Sequence, residues 1–195
     1  MPESLGLRSL SVGKRGDDDR ITHLALSAGQ GDRAALSEFI QATQRDVWRM
    51  VAYLADPASA DDLTQETFLR AIGSLSRFSG RSTARTWLLS IARRVVVDQI
   101  RYNTTRPRAA NVADLDDAVG RGQRSSRIED IVEIRILLDG LGVERREALI
   151  LTQILGLSYA EAAGVCGCPI GTIRSRVARA REDLLRAADE GDLAG

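Results

Sequence analysis

The chain has 195 residues, of which 44% are hydrophobic and 28% charged, and its 27 basic residues balance 27 acidic ones to a formal net charge of zero. Overall charge therefore gives no argument for nucleic-acid binding, and no apolar run approaches the ~20 residues that a membrane-spanning helix requires. The first residues lack the apolar core of a secretory signal. Cys166 and Cys168 are too close in sequence for ordinary disulfide geometry. We therefore expect a cytoplasmic protein with reduced cysteines.

The N-terminal half is predicted to be a small helical domain preceded by a tail. Residues 1–19 are rich in Ser, Gly and Asp and show no periodicity, which predicts a disordered tail. Over residues 20–102, apolar side chains recur at three- and four-residue steps. This pattern predicts helices over 21–28, 33–55, about 60–74 and about 83–102, and Asp32 is well placed to cap the second of them.

The C-terminal half is predicted to be a second helical domain. Residues 103–130 lose the periodicity and are dominated by Gly, Pro, Ser, Asn and Asp, which is typical of a flexible linker. Helical spacing returns at Ile131 and predicts a domain over 131–190, with helices at about 144–155, 158–165 and 169–187. No strand alternation occurs, so the predicted fold class is all-α, with two small helical domains joined by a flexible linker.

Residues 158–180, SYAEAAGVCGCPIGTIRSRVARA, match a helix-turn-helix. Gly167 is placed in the turn, where a positive φ is needed, and Pro169 suits the first turn of the second helix. An apolar stripe that includes Ile173 and Val177 is predicted to face inward. In such a motif the second helix presents side chains to the DNA major groove. The candidate DNA-binding residues on this helix are Thr172, Arg174, Ser175, Arg176 and Arg179.

The two cysteines allow two interpretations, a metal or redox site and simple packing. They flank Gly167 at positions that take buried aliphatic residues in helix-turn-helix motifs, and a free cysteine behaves as a small apolar side chain. A zinc site requires about four ligands, and the single histidine, His23, lies in the other predicted domain. We favour packing and predict that the protein binds no metal and needs no cofactor.

Charge is unevenly distributed along the chain. Residues 56–66 carry four acidic side chains and no basic one, whereas residues 78–101 carry five arginines against Asp98, a net charge of +4. Residues 169–186 form a second basic segment. All the bases except Lys14 are arginine or the single histidine, and arginine binds phosphate and guanine in a bidentate manner. The local charge therefore permits nucleic-acid binding that the total charge does not suggest.

Three segments together resemble the extracytoplasmic-function (group IV) sigma factors of bacterial RNA polymerase. They read DDLTQETFLRAI (61–72), FSGRSTARTWLLSIARRVVVDQIR (78–101) and GLSYAEAAGVCGCPIGTIRSRVARAR (156–181). The resemblance covers about residues 21–187 apart from the linker. It implies that 20–102 is sigma region 2, which binds core polymerase and the minus-ten promoter element, and that 131–190 is region 4, which binds the minus-thirty-five element. It also implies a possible anti-sigma factor.

The resemblance implies that the 60–74 helix contacts the clamp helices of the polymerase beta-prime subunit. The candidate residues are Asp61, Asp62, Gln65, Glu66 and Arg70. Two simpler interpretations stay open, since acidic residues are favoured at any helix N-terminus and Arg70 could pair with Glu66 at i,i+4 spacing. Phe68 and Leu69 are assigned to the core.

The resemblance also implies that the 76–87 segment and the helix after it open the minus-ten element. Strand opening requires a positive surface for the separated backbone and a site for an extruded base. Trp87 is more typical of core than of a stacking platform, and Asp98 with Arg101 could be a local ion pair. The candidate minus-ten residues are Arg81, Ser82, Thr83, Arg85, Thr86, Arg93, Arg94 and Arg101.

The sequence therefore predicts a sigma factor with no catalytic site, which binds core RNA polymerase and promoter DNA and directs promoter-specific initiation. The alternative is a helix-turn-helix repressor or activator that works without polymerase. That alternative predicts self-dimerisation on palindromic sites and leaves the 61–72 and 78–101 segments unexplained. An enzyme is not favoured, because the sequence shows no paired carboxylates, nucleophile–histidine set or phosphate-binding loop.

Overall fold

The computed structural model of the chain describes residues 6–55, 57–105 and 134–192. Within these ranges the chain is helical and has no strand, which confirms the predicted all-α class. Short 3-10 turns, Pro57–Ser59 and Leu75–Arg77, flank the third helix, and residues 134–139 are also helical. The longer elements are α1 (Gly6–Gly29), α2 (Arg33–Leu54), α3 (Ala60–Ser74), α4 (Ala84–Thr105), α5 (Val143–Leu149), which continues as a π-helical turn (Ile150–Ile154), α6 (Tyr159–Cys166) and α7 (Ile170–Asp192).

The N-terminus departs most from the sequence prediction. Helix α1 begins at Gly6, so the predicted disordered tail over residues 1–19 was wrong for residues 6–19; residues 1–5 lie outside the described part of the chain. Ile21 and Ala25 are buried and anchor α1 on the other helices. Once an anchored turn exists, extending a helix costs little per residue, so a polar composition did not prevent the helix from continuing towards the N-terminus.

The remaining helices follow the sequence prediction closely. Asp32 caps α2 as expected, and its carboxylate accepts hydrogen bonds from the backbone N–H of Ala34 and Ala35 at 2.9 and 3.1 Å. Helix α4 extends to Thr105, so residues 103–105 are helical and were wrongly assigned to the linker. The rest of the predicted linker lies outside the described residues.

Each half of the chain buries an apolar core. Phe39, Met50 and Leu88 are almost fully buried among α1–α4, and Ile150 and Ile173 are buried in the C-terminal half. Burying one such side chain contributes about 1.5–3 kcal/mol. Among the described helices, none combines the length and apolar character needed to cross a membrane.

The two halves pack against each other through α4 and α6. A Cβ built on Gly164 of α6 would lie only 3.3 Å from Thr86 Cγ2 of α4, so glycine allows the two helices to approach closely. The π-helical turn after α5 also approaches α2. This packing brings predicted functional residues of one half against the other half.

Candidate functional site

The helix-turn-helix is formed by α6 and α7 with the predicted turn chemistry. Ser158 caps α6 in a reciprocal pair with Glu161, since each side chain accepts a hydrogen bond from the other residue's backbone N–H. Gly167 ends α6 with φ +64°, a left-handed conformation that glycine adopts without strain. The backbone N–H of Cys168 donates to the Ala163 carbonyl at 3.1 Å. Local sequence therefore fixes the angle at which α7 leaves the turn.

Helix α7 divides its arginines between solvent and protein. Ile173 and Val177 are buried on its inner face, as predicted. Arg174 and Arg179 are exposed, as is Ser175, and within the described residues neither arginine forms an ion pair. The half-buried Thr172 lies at the start of the same helix. Arg174 and Arg179 therefore present unpaired positive charge to solvent, and we call them the open surface.

Arg176 does not belong to the open surface. Its guanidinium lies 2.7 Å from Glu144 Oε2 of α5, and only 18% of its side chain is exposed. The same guanidinium approaches Cys168 Sγ at 3.9 Å. Arg176 therefore ties the DNA-binding motif to α5, whereas the sequence pattern grouped it with the residues that face DNA.

Both cysteines are free and half-buried, and they pack against the core. Burial is the main reason that the pKa of Cys166 is raised to about 12, and the nearby negative charge of Glu147 raises it further. At neutral pH this thiol is therefore protonated and unreactive. In the part of the chain that the structure describes, no three His, Cys, Asp or Glu side chains are grouped as a metal site would require.

The predicted polymerase-binding face of α3 is partly paired within the protein. The Arg70 guanidinium bridges two carboxylates, Glu66 at 2.7 Å and Asp98 of α4 at 2.7 Å. The open interpretation that Arg70 pairs with Glu66 is therefore confirmed. Asp98 pairs with Arg70, and Arg101 remains exposed.

The N-terminus of α3 has a second intramolecular contact. Trp48 Nε1 donates to Asp61 Oδ1 at 2.9 Å, which links α2 to the start of α3. Asp62 and Gln65 are exposed. The predicted face therefore combines Asp62 and Gln65 with three residues that make contacts within the protein, of which Asp61 and Arg70 are themselves exposed.

The α3 face also carries apolar residues that the sequence interpretation missed. Leu69 is 59% exposed and Ile72 is 43% exposed, so the assignment of Leu69 to the core was wrong, whereas Phe68 is buried. Leu69 lies four residues after Gln65 and three before Ile72, so all three share one face of the helix. That spacing is the signal that could have identified them.

The loop over residues 76–83, which we call the 76–83 loop, joins α3 to α4. Arg81 and Ser82 are exposed there, while Phe78 stacks on Trp87 with ring centroids 4.9 Å apart. Thr83 ends the loop and caps α4, because its Oγ1 accepts from the Thr86 backbone N–H at 3.2 Å. The loop is therefore joined to α4 by the Phe78–Trp87 pair and, at its end, by a helix cap.

Two arginines predicted to touch DNA contact the C-terminal half instead. Arg93 Nε lies 2.5 Å from Glu147 Oε1 and Arg93 Nη2 lies 3.2 Å from Oε2, a bidentate pair. Arg85 lies 2.6 Å from Asp46 Oδ2 and donates to the Leu155 carbonyl at 2.9 Å. We call Arg85 and Arg93 the covered surface.

The partners of the covered surface could not be read from sequence. Glu147 is 5% exposed, and the sequence pattern gave no reason to single it out. The Leu155 carbonyl follows a π-helical turn, in which the Leu155 N–H bonds to the Ile150 carbonyl five residues earlier. Thr86, also predicted to bind DNA, is 7% exposed beneath Gly164, whereas Arg94 and Arg101 are exposed as expected.

Comparison with known proteins gives a consistent set of similarities. Residues 39–106 match the model of sigma-70 region 2, and residues 131–184 match the model of sigma-70 region 4. The ECF RNA polymerase sigma factor SigC of Mycobacterium tuberculosis is 59% identical over 179 residues, which cover 92% of this chain and 97% of the relative.

Solved structures show the same arrangement of helices. The structure of CnrH in complex with the cytosolic domain of CnrY matches with a TM-score of 0.69 and 26% identity, over 89% of this chain and 98% of the other. The sigma factor RpoE of Bartonella quintana, in complex with the anti-sigma factor NepR, matches with a TM-score of 0.65 and 29% identity, over 79% of this chain and 96% of the other.

Proposed function

The chain belongs to the extracytoplasmic-function sigma factors of bacterial RNA polymerase and directs transcription, and from this premise we propose how its surfaces share that task. Residues 20–102 act as region 2 and residues 131–190 as region 4. The protein works in the cytoplasm as a subunit of polymerase and contributes no catalytic group of its own. One observation carries the proposal: separate exposed surfaces on α3, on the 76–83 loop and on α7 combine the chemistry for one protein contact and two DNA contacts.

The α3 face binds core polymerase at the beta-prime clamp helices. Exposed Asp62 and Gln65 supply polar contacts, and exposed Leu69 and Ile72 supply apolar area beside them. Apolar anchors within a polar rim are typical of protein interfaces. Three further residues of this face, Asp61, Glu66 and Arg70, make contacts within region 2. These contacts fix the shape of the face, and the same residues also touch the partner. The set as a whole is Asp61, Asp62, Gln65, Glu66, Leu69, Arg70 and Ile72.

The open surface of α7 reads the minus-thirty-five element. Arg174 lies near the N-terminus of α7, where a recognition helix reaches base edges, and Arg179 lies farther along the helix. Arginine forms bidentate contacts to guanine or to phosphate. Ser175 and Thr172 offer short hydroxyl groups beside them. Arg176 supports this surface by holding α7 on α5 and is not a reader.

The 76–83 loop and the exposed arginines of α4 act on the minus-ten element. Arg81 and Ser82 present a positive and a hydrogen-bonding group at the loop, and Arg94 and Arg101 continue the positive charge along α4. Such a surface suits a separated DNA backbone. Thr83 serves mainly as the cap that holds the loop end at α4.

The covered surface joins the minus-ten site only after the two halves separate, which releases Arg93 from Glu147 and Arg85 from the Leu155 carbonyl but leaves the ion pair of Arg85 with Asp46 of α2 in place. In the chain by itself Arg85 and Arg93 contact the C-terminal half, and Thr86 lies beneath Gly164. Binding to core polymerase, which must hold region 2 and region 4 at two promoter elements, supplies the free energy of separation. We therefore expect the protein to bind DNA weakly until it is part of the polymerase.

An anti-sigma factor is a further partner that we propose. The similar structures are of CnrH with the cytosolic domain of CnrY and of RpoE with the anti-sigma factor NepR. A stand-alone repressor or activator is not favoured, because it gives the α3 face no role.

Run-off transcription with purified core polymerase tests the proposal. Genomic fragments identify the promoters, and the double variant Arg81→Ala/Ser82→Ala is then compared with the wild type on duplex and pre-melted templates. We expect unchanged affinity for core and a loss of duplex transcription that a pre-melted bubble partly restores. Arg45→Ala, an exposed arginine on α2, is the matched control. Equal loss on both templates would contradict the melting role, and failure to start transcription from any fragment would contradict the function as a whole.

A further inference from the structure

Helix α1 contacts the 76–83 loop along a single stripe. Three of its residues, Thr22, Leu26 and Gly29, are spaced i, i+4 and i+7 and so share one face of the helix. Along the segment from Leu75 to Ala84, Gly29 lies against Leu75 at the start, Leu26 lies near the middle, and Thr22 contacts Ala84 at the end. We call these three residues the α1 stripe.

Thr22 closes the end of this segment. Its hydroxyl accepts a hydrogen bond from the backbone N–H of Ala84, the first residue of α4, at 3.0 Å. It donates its own proton to the Asp18 carbonyl at 2.7 Å. The first N–H groups of a helix have no partner within the helix, and Ala84 is fully buried. Thr22 therefore satisfies a buried donor 62 residues away in the chain.

Gly29 and Leu26 define the start and the middle. A Cβ on Gly29 would lie 2.8 Å from the Leu75 carbonyl oxygen, which is closer than real Cβ atoms approach, so the α1 backbone rests directly on that of Leu75. Gly80 adopts φ +70°, and a Cβ there would lie 3.7 Å from Leu26 Cδ1. The loop thus follows α1 through a backbone contact at Leu75 and a hydrogen bond at Ala84, and it passes close to the Leu26 side chain at Gly80.

We propose that the α1 stripe positions the 76–83 loop for the minus-ten element and that Thr22 and Gly29 are positioning residues for promoter opening. This inference rests on the proposed role of the loop. The geometry favours it because Arg81 and Ser82 lie between Gly80, which passes close to Leu26, and Ala84, which is hydrogen-bonded to Thr22. Helix α1 thus positions Arg81 and Ser82 for DNA without contacting DNA itself.

The test compares Thr22→Val with Thr22→Ser, since valine keeps the branched shape but lacks the hydroxyl, and serine keeps the hydroxyl. Loss of one hydrogen bond corresponds to about a fivefold change in an equilibrium. We therefore expect Thr22→Val to reduce open-complex formation on duplex promoters about fivefold, with affinity for core polymerase unchanged, and Thr22→Ser to restore it. A pre-melted template should show about half of the defect or less.

Gly29→Ala gives a second test, and Gly16→Ala is its matched control. Both changes add a methyl group within α1, but nothing lies within 4 Å of the Cβ position at Gly16. Gly29→Ala should impair duplex transcription more than Thr22→Val does, because the Leu75 backbone must move, whereas Gly16→Ala should have no effect.

Hydrogen exchange on peptides covering residues 75–87 keeps the inference separate from the role of the loop. Thr22→Val should accelerate amide exchange there and leave residues 60–74 unchanged. Unchanged amide exchange in Thr22→Val would overturn the positioning role. The role would also be overturned if Thr22→Val accelerated exchange but kept full duplex activity while Arg81→Ala/Ser82→Ala was defective. If neither Thr22→Val nor Arg81→Ala/Ser82→Ala impairs duplex transcription, the assignment of the loop to the minus-ten element is wrong. The positioning role is then wrong as well.

Discussion

The open surface on α7 and the covered surface on α4 have similar arginine content but different availability. Arg174 and Arg179 face solvent, whereas Arg85 and Arg93 are held by Asp46, the Leu155 carbonyl and Glu147. Charge along a sequence therefore shows where nucleic acid could bind but not which site is free to bind it. In this chain the covered site depends on the position of the other half.

The physical difference lies in what each arginine would lose by binding DNA. Arg174 exchanges water for a base or a phosphate. Arg93 must first leave Glu147, which is 5% exposed and would remain as a buried unpaired charge. An isolated buried charge is costly, so release of Arg93 requires that Glu147 also reach water. Separation of the halves allows the Arg93 guanidinium and the Glu147 carboxylate to be hydrated at the same time.

The largest expected effect comes from breaking the covered surface. Arg93→Ala leaves Glu147 unpaired and should destabilise the contact between the halves by about 3–5 kcal/mol. We expect a larger radius of gyration by small-angle X-ray scattering, with helical content unchanged. Arg94→Ala, an exposed neighbour on the same helix, should scatter like the wild type. Identical scattering from both variants would show that Arg93 does not hold the halves together.

The same contrast between engaged and exposed side chains extends to α3. Leu63 is 6% exposed and Leu69 is 59% exposed on one helix. Leu63→Ala should lower the free energy of unfolding by about 2–5 kcal/mol. Leu69→Ala should leave stability nearly unchanged and weaken core binding by more than about 1 kcal/mol, as expected of an interface anchor. Thermal unfolding and a titration with core polymerase separate these effects, and an unaltered core affinity in Leu69→Ala would remove Leu69 from the interface.

Two arginines of α7 sharpen the comparison within one helix. Arg174→Ala should cost about 1–3 kcal/mol of promoter binding by the polymerase complex and relax preference at one minus-thirty-five position. Arg176→Ala should leave sequence preference intact. It should loosen the packing of α7 on α5, because the variant loses the ion pair with Glu144. A selection from randomised minus-thirty-five sequences distinguishes them. Uniform weakening on every sequence would make Arg174 a phosphate contact.

The smallest effect concerns Cys166. Burial raises the pKa of Cys166 from an ordinary value of 9.0 to about 12. The folded state therefore holds the thiol proton more tightly, so this contribution to stability is complete below about pH 9 and is lost as pH rises towards 12. Iodoacetamide at pH 8 should label Cys166 slowly in the folded protein and rapidly in denaturant, as followed by mass spectrometry.

Cys166 also reports on the covered surface, because Glu147 and Arg93 both act on its pKa. The positive charge of Arg93 lowers this pKa, so its removal alone would slow the labelling of Cys166. We expect Arg93→Ala to speed the labelling in the folded protein nevertheless, because separation of the halves exposes the thiol to water. Rapid labelling of the folded wild type would contradict the burial of this thiol.

Local patterns were sufficient to predict most of the helices and the helix-turn-helix. Asp32 and Gly167 act through their nearest neighbours along the chain, and both behave as the sequence indicated. The failures involve contacts that are distant in sequence. Residues 6–19 are helical because α1 is anchored further along the chain, and Arg93 is engaged by a residue 54 positions away. Leu69, predicted to lie in the core with Phe68, is exposed on the helix face that it shares with Gln65.

The most direct test of the central claim is the distance between the two halves with and without polymerase. Fluorophores carried by unnatural amino acids at the exposed positions Gln41 of α2 and Asp189 of α7 report that distance by energy transfer. We expect high transfer efficiency in the free protein and a marked fall when core polymerase binds, and we expect the efficiency of Arg93→Ala to be low before polymerase is added. Equal efficiency in the free and polymerase-bound states would contradict the claim that polymerase uncovers Arg85 and Arg93.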